Sequence, residues 1–392
     1  MTQTTSRIAS ALLLSAEGKL ERNSVVEFNE AAEVVGVEYN VADIDSLPST
    51  RYYNGILIPG MVNAHCHLEL SFYEDVIPKH TGLIGFIKQV VSQRGNFTPE
   101  QKKRAIAKAD DFMWGEGIQA VGDISNDATS FETKVGSKIY YHTFAEYFGM
   151  VIHESCEEFY SRQTAHIATG HEMGLTVTPT SHSTYLVSEG LFKKANLSQR
   201  LSIHFMETPA ELELFQSRGQ MYEFLVQSDM TPDFLNYGSH SVRLVESVDG
   251  RIPTLLIHNT NIEREDVERI VGHFGEVTFV LCPRSNHYIE KAYPPAEMLW
   301  QMGVNVALGT DSLASNDSLS MVEEVKWLAR ANPNIPLEVM LGWATRGGAS
   351  ALGISQEIGS FEVGKKPGAV LLTDIDFHKR ELTPQTRASR VL

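Results

Sequence analysis

The chain is poor in cysteine, in basic residues and in long apolar runs, and each shortage removes a class of function. Its three cysteines, Cys66, Cys156 and Cys282, cannot build an even disulfide framework and show no C-x-x-C spacing, so a reducing compartment is expected, the cytoplasm by default. No run of about 18 or more apolar residues occurs, which leaves no candidate for a membrane-spanning helix. The nearest imitation is Ile8–Ala16 (IASALLLSA) behind the single charge of Arg7. It continues through Glu17-Gly18-Lys19 into Val25-Val26-Glu27-Phe28, so it reads as two strands around a turn rather than a secretory signal. Lys and Arg number 33 against 49 Asp and Glu, a net charge of −16. Such a field repels phosphate backbones and anionic membranes, so no nucleic-acid or membrane partner is expected. Glycine-rich phosphate loops of the G-x-G-x-x-G or G-x-x-x-x-G-K-[ST] kind are missing as well, as are internal repeats and low-complexity tracts.

What remains is the composition of a folded protein, with 42% hydrophobic, 21% charged and 9% aromatic residues in 392. At about 150 residues per domain, that length suits one large domain with a small companion, or two to three modules. Eight β-branched or apolar runs decide between them: Ile56–His67, Ile118–Ile124, Ile139–Tyr147, Leu175–His182, Leu201–Glu207, Thr254–His258, Val277–Cys282 and Val304–Asp311. Helical or loop stretches separate them. Eight such units predict an α/β fold, a (β/α)8 TIM barrel over residues 56–357, whose working face lies at the C-terminal strand ends. An open doubly wound sheet is the competitor, and it would normally carry the missing glycine-rich turn. Residues 1–55 and 358–392 break the rhythm with hairpin-like pieces, and together they are expected to form one small discontinuous β-domain. The longest segment without a clear strand, Thr208–Pro253, is expected to overhang the barrel mouth and to take part in substrate selection.

The strand ends carry the chemistry. His65 and His67 close the first barrel run, and residues two apart on a strand share a face, so both imidazoles can share one cation while Cys66 turns away. His182 ends the fourth run, His204 and Glu207 the fifth, His258 the sixth and Asp311 the eighth. A lone histidine is more often a hydrogen-bonded core or surface residue; five strand ends carrying such groups at one face reverse that weighting. The other nine histidines, His153, His166 and His171 among them, carry no functional expectation. Three imidazoles and one carboxylate suit Zn2+, with Fe2+ or Mn2+ as alternatives, and leave a place for water. Water bound to such an ion drops from a pKa near 16 to roughly 7, and Glu207, three residues beyond His204, is placed to move its proton.

These motifs resemble the amidohydrolase superfamily, in its cytosine-deaminase-like and chlorohydrolase-like branch of mononuclear metal deaminases. The likeness runs through ILIPGMVNAHCHLE, TPTSHSTYLVS, IHFMET, LLIHNTNI, LCPRSN and VALGTDSLASN, in that order. GSFEVGKKPGAVLL looks like the family's closing strand, in a small β-sandwich made by both chain ends. The resemblance implies that His65, His67, His204 and Asp311 hold one divalent metal ion, that Glu207 is the proton shuttle, that His258 bonds the nucleophile or substrate, and that His182 contacts the substrate. Asp311 would also help deprotonate the water. Pro179-Thr180-Ser181-His182 holds no lysine, so the bridging carboxylated lysine of two-metal members is not expected. HCHLELS, GLIGFI, LCPRSNHYIE and LGTDSLASNDSLS look most like the aminodeoxyfutalosine deaminases of menaquinone biosynthesis. His287 stands where that likeness calls for an apolar residue, and Pro367-Gly368 where it calls for an acidic-small pair.

The implied reaction is hydrolytic deamination of an adenine-nucleoside-type substrate with release of ammonia. Arg284 is a candidate to meet an anionic or polar substrate group, or to make a loop salt bridge. Glu69 and Ser71 could bind ribose hydroxyls or cap the helix after them. Other readings within the family are S-adenosylhomocysteine, methylthioadenosine, adenosine or guanine deamination and triazine dechlorination; a catalytically silent scaffold would normally have lost ligands that are all present here. The nucleobase-deaminase signature H-x-E with P-C-x-x-C is only half met, by His67-Leu68-Glu69. A homodimer is the default assembly.

Overall fold

The computed structural model describes residues 6–149, 156–228, 230 and 232–392; His153 and the Cys156 side chain lie outside them. Among the described residues fourteen strands are defined, and the first four are β1 (Ser6–Leu14), β2 (Leu20–Phe28), β3 (Val34–Glu38) and β4 (Thr50–Pro59). The next eight are β5 (Met61–Cys66), β6 (Ile118–Ser125), β7 (Tyr140–Tyr147), β8 (Thr176–Ser181), β9 (Leu201–Phe205), β10 (Thr254–His258), β11 (Val277–Leu281) and β12 (Val306–Leu308). The last two are β13 (Ala369–Asp376) and β14 (Glu381–Arg390). Strands from both chain ends lie in one six-stranded sheet of order β14-β13-β4-β1-β2-β3.

The apolar run Ile56–His67, read above as one strand, is two. Its first part ends β4, which pairs parallel with β1 and antiparallel with β13; its second part is β5, which pairs parallel with β6. Gly60 makes the switch. Its N–H donates to Pro367 O at 2.9 Å while the next amide, Met61, donates to Gly117 O at 3.0 Å. A Cβ at position 60 would meet Pro367 O at 2.5 Å, so only glycine lets the chain pass between the two sheets without displacing backbone.

β5-β6-β7-β8 and β9-β10-β11-β12 form two four-stranded parallel sheets. Backbone bridges Ser183↔His204 and Cys66↔Asp311 join them on both sides, with His204 N donating to His182 O at 2.8 Å and Asp311 N to His65 O at 3.1 Å. The eight strands therefore close into the α/β barrel, with the additional strands at the chain ends in their own sheet. Closure brings β12 hard against β5: a Cβ on Gly309 would lie 2.8 Å from the His65 Cβ. Helices pack outside. Pro99–Gly115 starts with a reciprocal Thr98/Gln101 capping box and proline in its first turn, and it buries Ile106, Ala109 and Met113, one helical stripe. At about 1.5–3 kcal/mol per fully buried large side chain, such stripes fix the helices to the barrel.

The described residues of the stretch expected to overhang the mouth form three short α-helices, Pro209–Leu214, Gly219–Gln227 and His240–Ser247, with a 3-10 turn at Leu235–Tyr237. Their Leu214, Met221 and Leu225 join Leu83, Tyr185 and Ile289 in one buried apolar cluster. Among the described residues no helix is long and apolar enough to cross a membrane.

Candidate metal-centred active site

Strand register tells which side chains face inward. His204 on β9 pairs with Ile257 on β10, Ile257 with Val280 on β11, and Val280 with Ala307 on β12; residues paired across a parallel ladder share a face. Ile257, Val280 and Ala307 accordingly lie in one buried cluster with Val62, Ala120 and Phe144, and His204 stands above them. Alternation after Ile257 would turn His258 outward. Instead His258 has φ 76° and Asn259 φ 56°, and this left-handed bend brings the His258 ring to 5.5 Å from that of His204, stacked on it. Met206 and Asp311 also have positive φ, 50° and 58°. Three strands thus end in backbone that non-glycine residues rarely adopt, a cost that concentrates at functional sites.

The result is a convergence of imidazoles. One ring nitrogen each from His65, His67 and His204 lies within 4.8 Å of the others. His67 Nε2 is 3.3 Å from His204 Nε2, and Asp311 Oδ1 lies 3.7 Å from His65 Nε2 and 3.6 Å from His67 Nε2. Among the described residues, both ring nitrogens of the fully buried His65 lack a hydrogen-bond partner. Burying an imidazole with nothing to bond costs about 1–3 kcal/mol per orphaned group, so the donor set fits a cation that those lone pairs would meet. Burial first, then the neighbouring His204, His67 and His258, hold His65 well below the usual histidine range, in the neutral form a metal ligand needs. The Asp311 carboxyl lies below its ordinary value: His67, His258 and the Ser285 hydroxyl outweigh burial, which opposes them. Ser285 and Ser315 both donate to Asp311 Oδ2, at 2.6 and 2.8 Å, leaving Oδ1 toward the histidines.

Glu207 and His258 stand across from this group, Oε1 to Nε2 at 3.7 Å. Burial, then the Glu211 and Asp311 carboxylates, push Glu207 well above the usual carboxylate range. Burial takes His258 down to about 4, and Asn286 Nδ2 holds its Nδ1 at 3.0 Å. A carboxyl that keeps its proton beside a neutral imidazole is equipped to donate one.

Glu146, near the end of β7, was not singled out from the sequence. It accepts from His182 Nδ1 at 2.7 Å and lies 3.6 Å from His204 Nδ1. His182, His204 and His67 pull it down to about 2, although burial works the other way. It makes a second close group with His182 and His204. The available signal was its position, a carboxylate at a barrel strand end, the criterion already applied to the other strands.

A cavity of about 260 Å3 opens over these groups, and His67, Glu69, Glu146, His182, Glu207 and Asp311 are among its walls. Glu69 is there, but its carboxylate is taken by Asn126, whose backbone and side-chain nitrogens both donate at 2.9 Å. Ser71 is not: its hydroxyl donates to Leu68 O at 2.7 Å and closes the short helix Leu68–Tyr73. Arg284 is turned away too, held by Ser318 at 2.8 Å and Asp317 at 3.4 Å. The helix Pro283–Glu290 begins at β11's end, and its first turn directs Ser285 and Asn286 at the site while Arg284, between them and Pro283, points to the next loop.

Comparison with known proteins agrees with this geometry. A 5-methylthioadenosine/S-adenosylhomocysteine deaminase from Thermoanaerobacter pseudethanolicus is 27% identical over 82% of this chain and 74% of its own. An aminodeoxyfutalosine deaminase from Deinococcus radiodurans is 27% identical over 76% of this chain and 73% of its own. The crystal structure of Helicobacter pylori aminofutalosine deaminase in complex with methylthio-coformycin superposes with a TM-score of 0.80, at 22% identity over 94% of this chain and 92% of that one. Residues 56–387 match the amidohydrolase family, and the chain belongs to that family.

Proposed function

We propose that this enzyme is a metal-dependent hydrolytic deaminase of a purine nucleoside and that its substrate is 6-amino-6-deoxyfutalosine, an intermediate of menaquinone biosynthesis. The observation that carries the reading is the convergence of His65, His67 and His204 on Asp311, facing Glu207 and His258. His65, His67, His204 and Asp311 would hold one divalent ion, Zn2+ first by its taste for imidazole and carboxylate. When bound, the ion supplies the Lewis acidity that makes water a nucleophile near neutral pH.

The protein's own groups do the rest. Asp311 accepts a proton as water adds to the amine-bearing ring carbon. Glu207 gives its proton to the adjacent ring nitrogen, the proton taken up by Asp311 passes to the amine so that the C–N bond breaks and ammonia leaves, and the remaining hydroxyl proton returns to Glu207 as the ring carbonyl forms. His258 is held by Asn286 with Nε2 toward Glu207, so it can bond the attacking oxygen. His182, its ring 4.5 Å from that of His204 and fixed by Glu146, contacts the substrate.

A second reading, 5-methylthioadenosine or S-adenosylhomocysteine deamination, is favoured by the Thermoanaerobacter relative, which is as similar as the Deinococcus one. Ammonia release by purified, metal-analysed protein across aminodeoxyfutalosine, S-adenosylhomocysteine, methylthioadenosine, adenosine and guanine separates the two. The highest kcat/KM is expected on aminodeoxyfutalosine; no ammonia from any of them, with a stoichiometric ion present, removes the purine reading altogether.

A further inference from the structure

One wall of the cavity is built by one helix, Gly82–Gln93, and by the turn that follows it. Leu83, Phe86, Ile87, Val90 and Arg94 all line the cavity, at spacings of three or four residues that place them on one helical face. From Leu83 to Arg94 this face runs roughly 16 Å at 1.5 Å per residue. Exposure rises along it: Leu83 is buried, Phe86, Ile87 and Val90 are half-buried, and Arg94 is exposed. The wall therefore leads from the buried interior to solvent, apolar for most of its length and cationic at its outer end.

Charge sorting sharpens this. Among the described residues, Arg94 is the single Lys or Arg that lines the cavity, whereas Glu69, Glu146, Glu207 and Asp311 supply its carboxyl groups. Its guanidinium makes no ion pair or hydrogen bond with any described residue, unlike Arg284, which Ser318 and Asp317 occupy. The protein as a whole carries −16, so a lone unpaired guanidinium at the mouth is the one local point where an anion gains rather than loses. The ionised Glu146 and Asp311 carboxylates in the same cavity repel that anion.

We infer that Arg94 is a specificity-determining residue, which binds the anionic end of an apolar arm carried by the substrate. The arm lies along Phe86, Ile87 and Val90, and its carboxylate meets the guanidinium at the rim. This rests on the nucleoside-deaminase reading and deepens it: the ligand class is a purine nucleoside whose sugar bears an apolar, preferably aromatic, extension ending in a carboxylate. Short neutral arms and armless nucleosides would leave both the apolar wall and Arg94 unused.

The test compares three compounds on the metal-loaded enzyme: adenosine, an adenine nucleoside with a 5′-linked benzoate arm, and the methyl ester of that compound. Wild type is expected to prefer the acid to the ester by about tenfold in kcat/KM, chiefly through KM, as befits a charge-assisted contact away from the reacting atoms. Arg94→Gln should erase that preference while leaving kcat on adenosine and the ester's kcat/KM unchanged, and Arg94→Lys should restore part of it. Equal use of acid and ester by wild type, or an Arg94→Gln variant that keeps the preference, overturns the assignment. Calorimetric titration of acid and ester reads the subsite without turnover. Arg94-dependent binding of the acid with no ammonia released would retain the subsite and remove the deaminase reading; turnover of all three compounds without an Arg94 effect would do the reverse.

Discussion

At the scale of single residues the chemistry depends on pairs whose members come from different strands. Glu207 is the sharpest case. It is buried, pushed up in pKa and 3.7 Å from His258, yet it is outside the His65, His67, His204 group. Glu207→Gln is therefore expected to keep a stoichiometric metal while turnover falls by on the order of 100-fold or more; elemental analysis beside an ammonia assay checks it, and an active variant would remove the shuttle. Glu146→Ala acts on another axis. It takes away the acceptor of His182 and the neighbour of His204, so metal affinity should fall by about 10- to 100-fold, seen as a higher zinc requirement for half-maximal activity. His65 and His67 were readable as a pair from strand alternation, and His182, His204, Glu207, His258 and Asp311 as candidates from their strand-end positions, both local properties, although the left-handed bend that turns His258 inward was not readable. Glu146 was equally visible in position, but its partner lies 36 residues away, and only register shows that β7 and β8 set the two side by side. Arg284 shows the opposite gap: its place after β11 was readable, whereas the helix turn that aims it at Asp317 was not.

At the scale of elements the sequence shows best where a rule is short. At the start of the helix Pro209–Leu214 the Glu211 side chain reaches back to the Thr208 backbone N–H, as in a capping box, and the spacing T-x-x-E announces it. What the spacing hides is that Glu211 is wholly buried. Burial, opposed by hydrogen bonds from the backbone of Thr208 and its neighbours, raises its pKa to about 8 from 4.5. The folded state then keeps a proton that the unfolded chain has already lost. Nothing is lost below about pH 4.5, where both states are protonated; stability falls as pH climbs toward about 8, where the folded group ionises, and levels off beyond. Glu211 Oε1 accepts from Thr208 N at 2.8 Å, and Oε2 has no hydrogen-bond partner among the described residues, so Gln can replace the neutral form with little rearrangement. Glu211→Gln should leave the unfolding midpoint near wild type at about pH 5 and above it at about pH 9, with a shallower slope between. A slope identical to wild type would show that Glu211 is ionised in the folded protein throughout. Part of the slope will persist, since burial also raises Glu324 to about 7. The Ile56–His67 run failed as a single strand for a related reason: apolar alternation continues through Gly60, and the change of sheet there is set by Pro367 and Gly117, far away in sequence.

At the scale of the whole molecule, the count of eight strand runs was enough to give the barrel, because each βα unit announces itself within its own stretch of chain. How the barrel closes was not legible, and closure is where the site belongs. The proposed ligands come from both four-stranded sheets: His65 lies in β5 and His67 just after it in one, while His204 belongs to β9 and Asp311 follows β12 in the other. The seams themselves run through these residues, Ser183↔His204 on one side and Cys66↔Asp311 on the other, as single bridges rather than full ladders. A bound ion would clamp the two seams together, and because the unfolded chain cannot assemble the set, binding free energy becomes folding free energy. At a thousandfold excess of metal over its dissociation constant that amounts to about 4 kcal/mol. Removing the metal with a chelator should therefore lower the unfolding midpoint of wild type, and Zn2+ should restore it. His65→Ala is expected to unfold at the same temperature with or without chelator, since its set is already broken. If wild type proves equally indifferent, the seams hold without an ion, and the four residues are not a metal site.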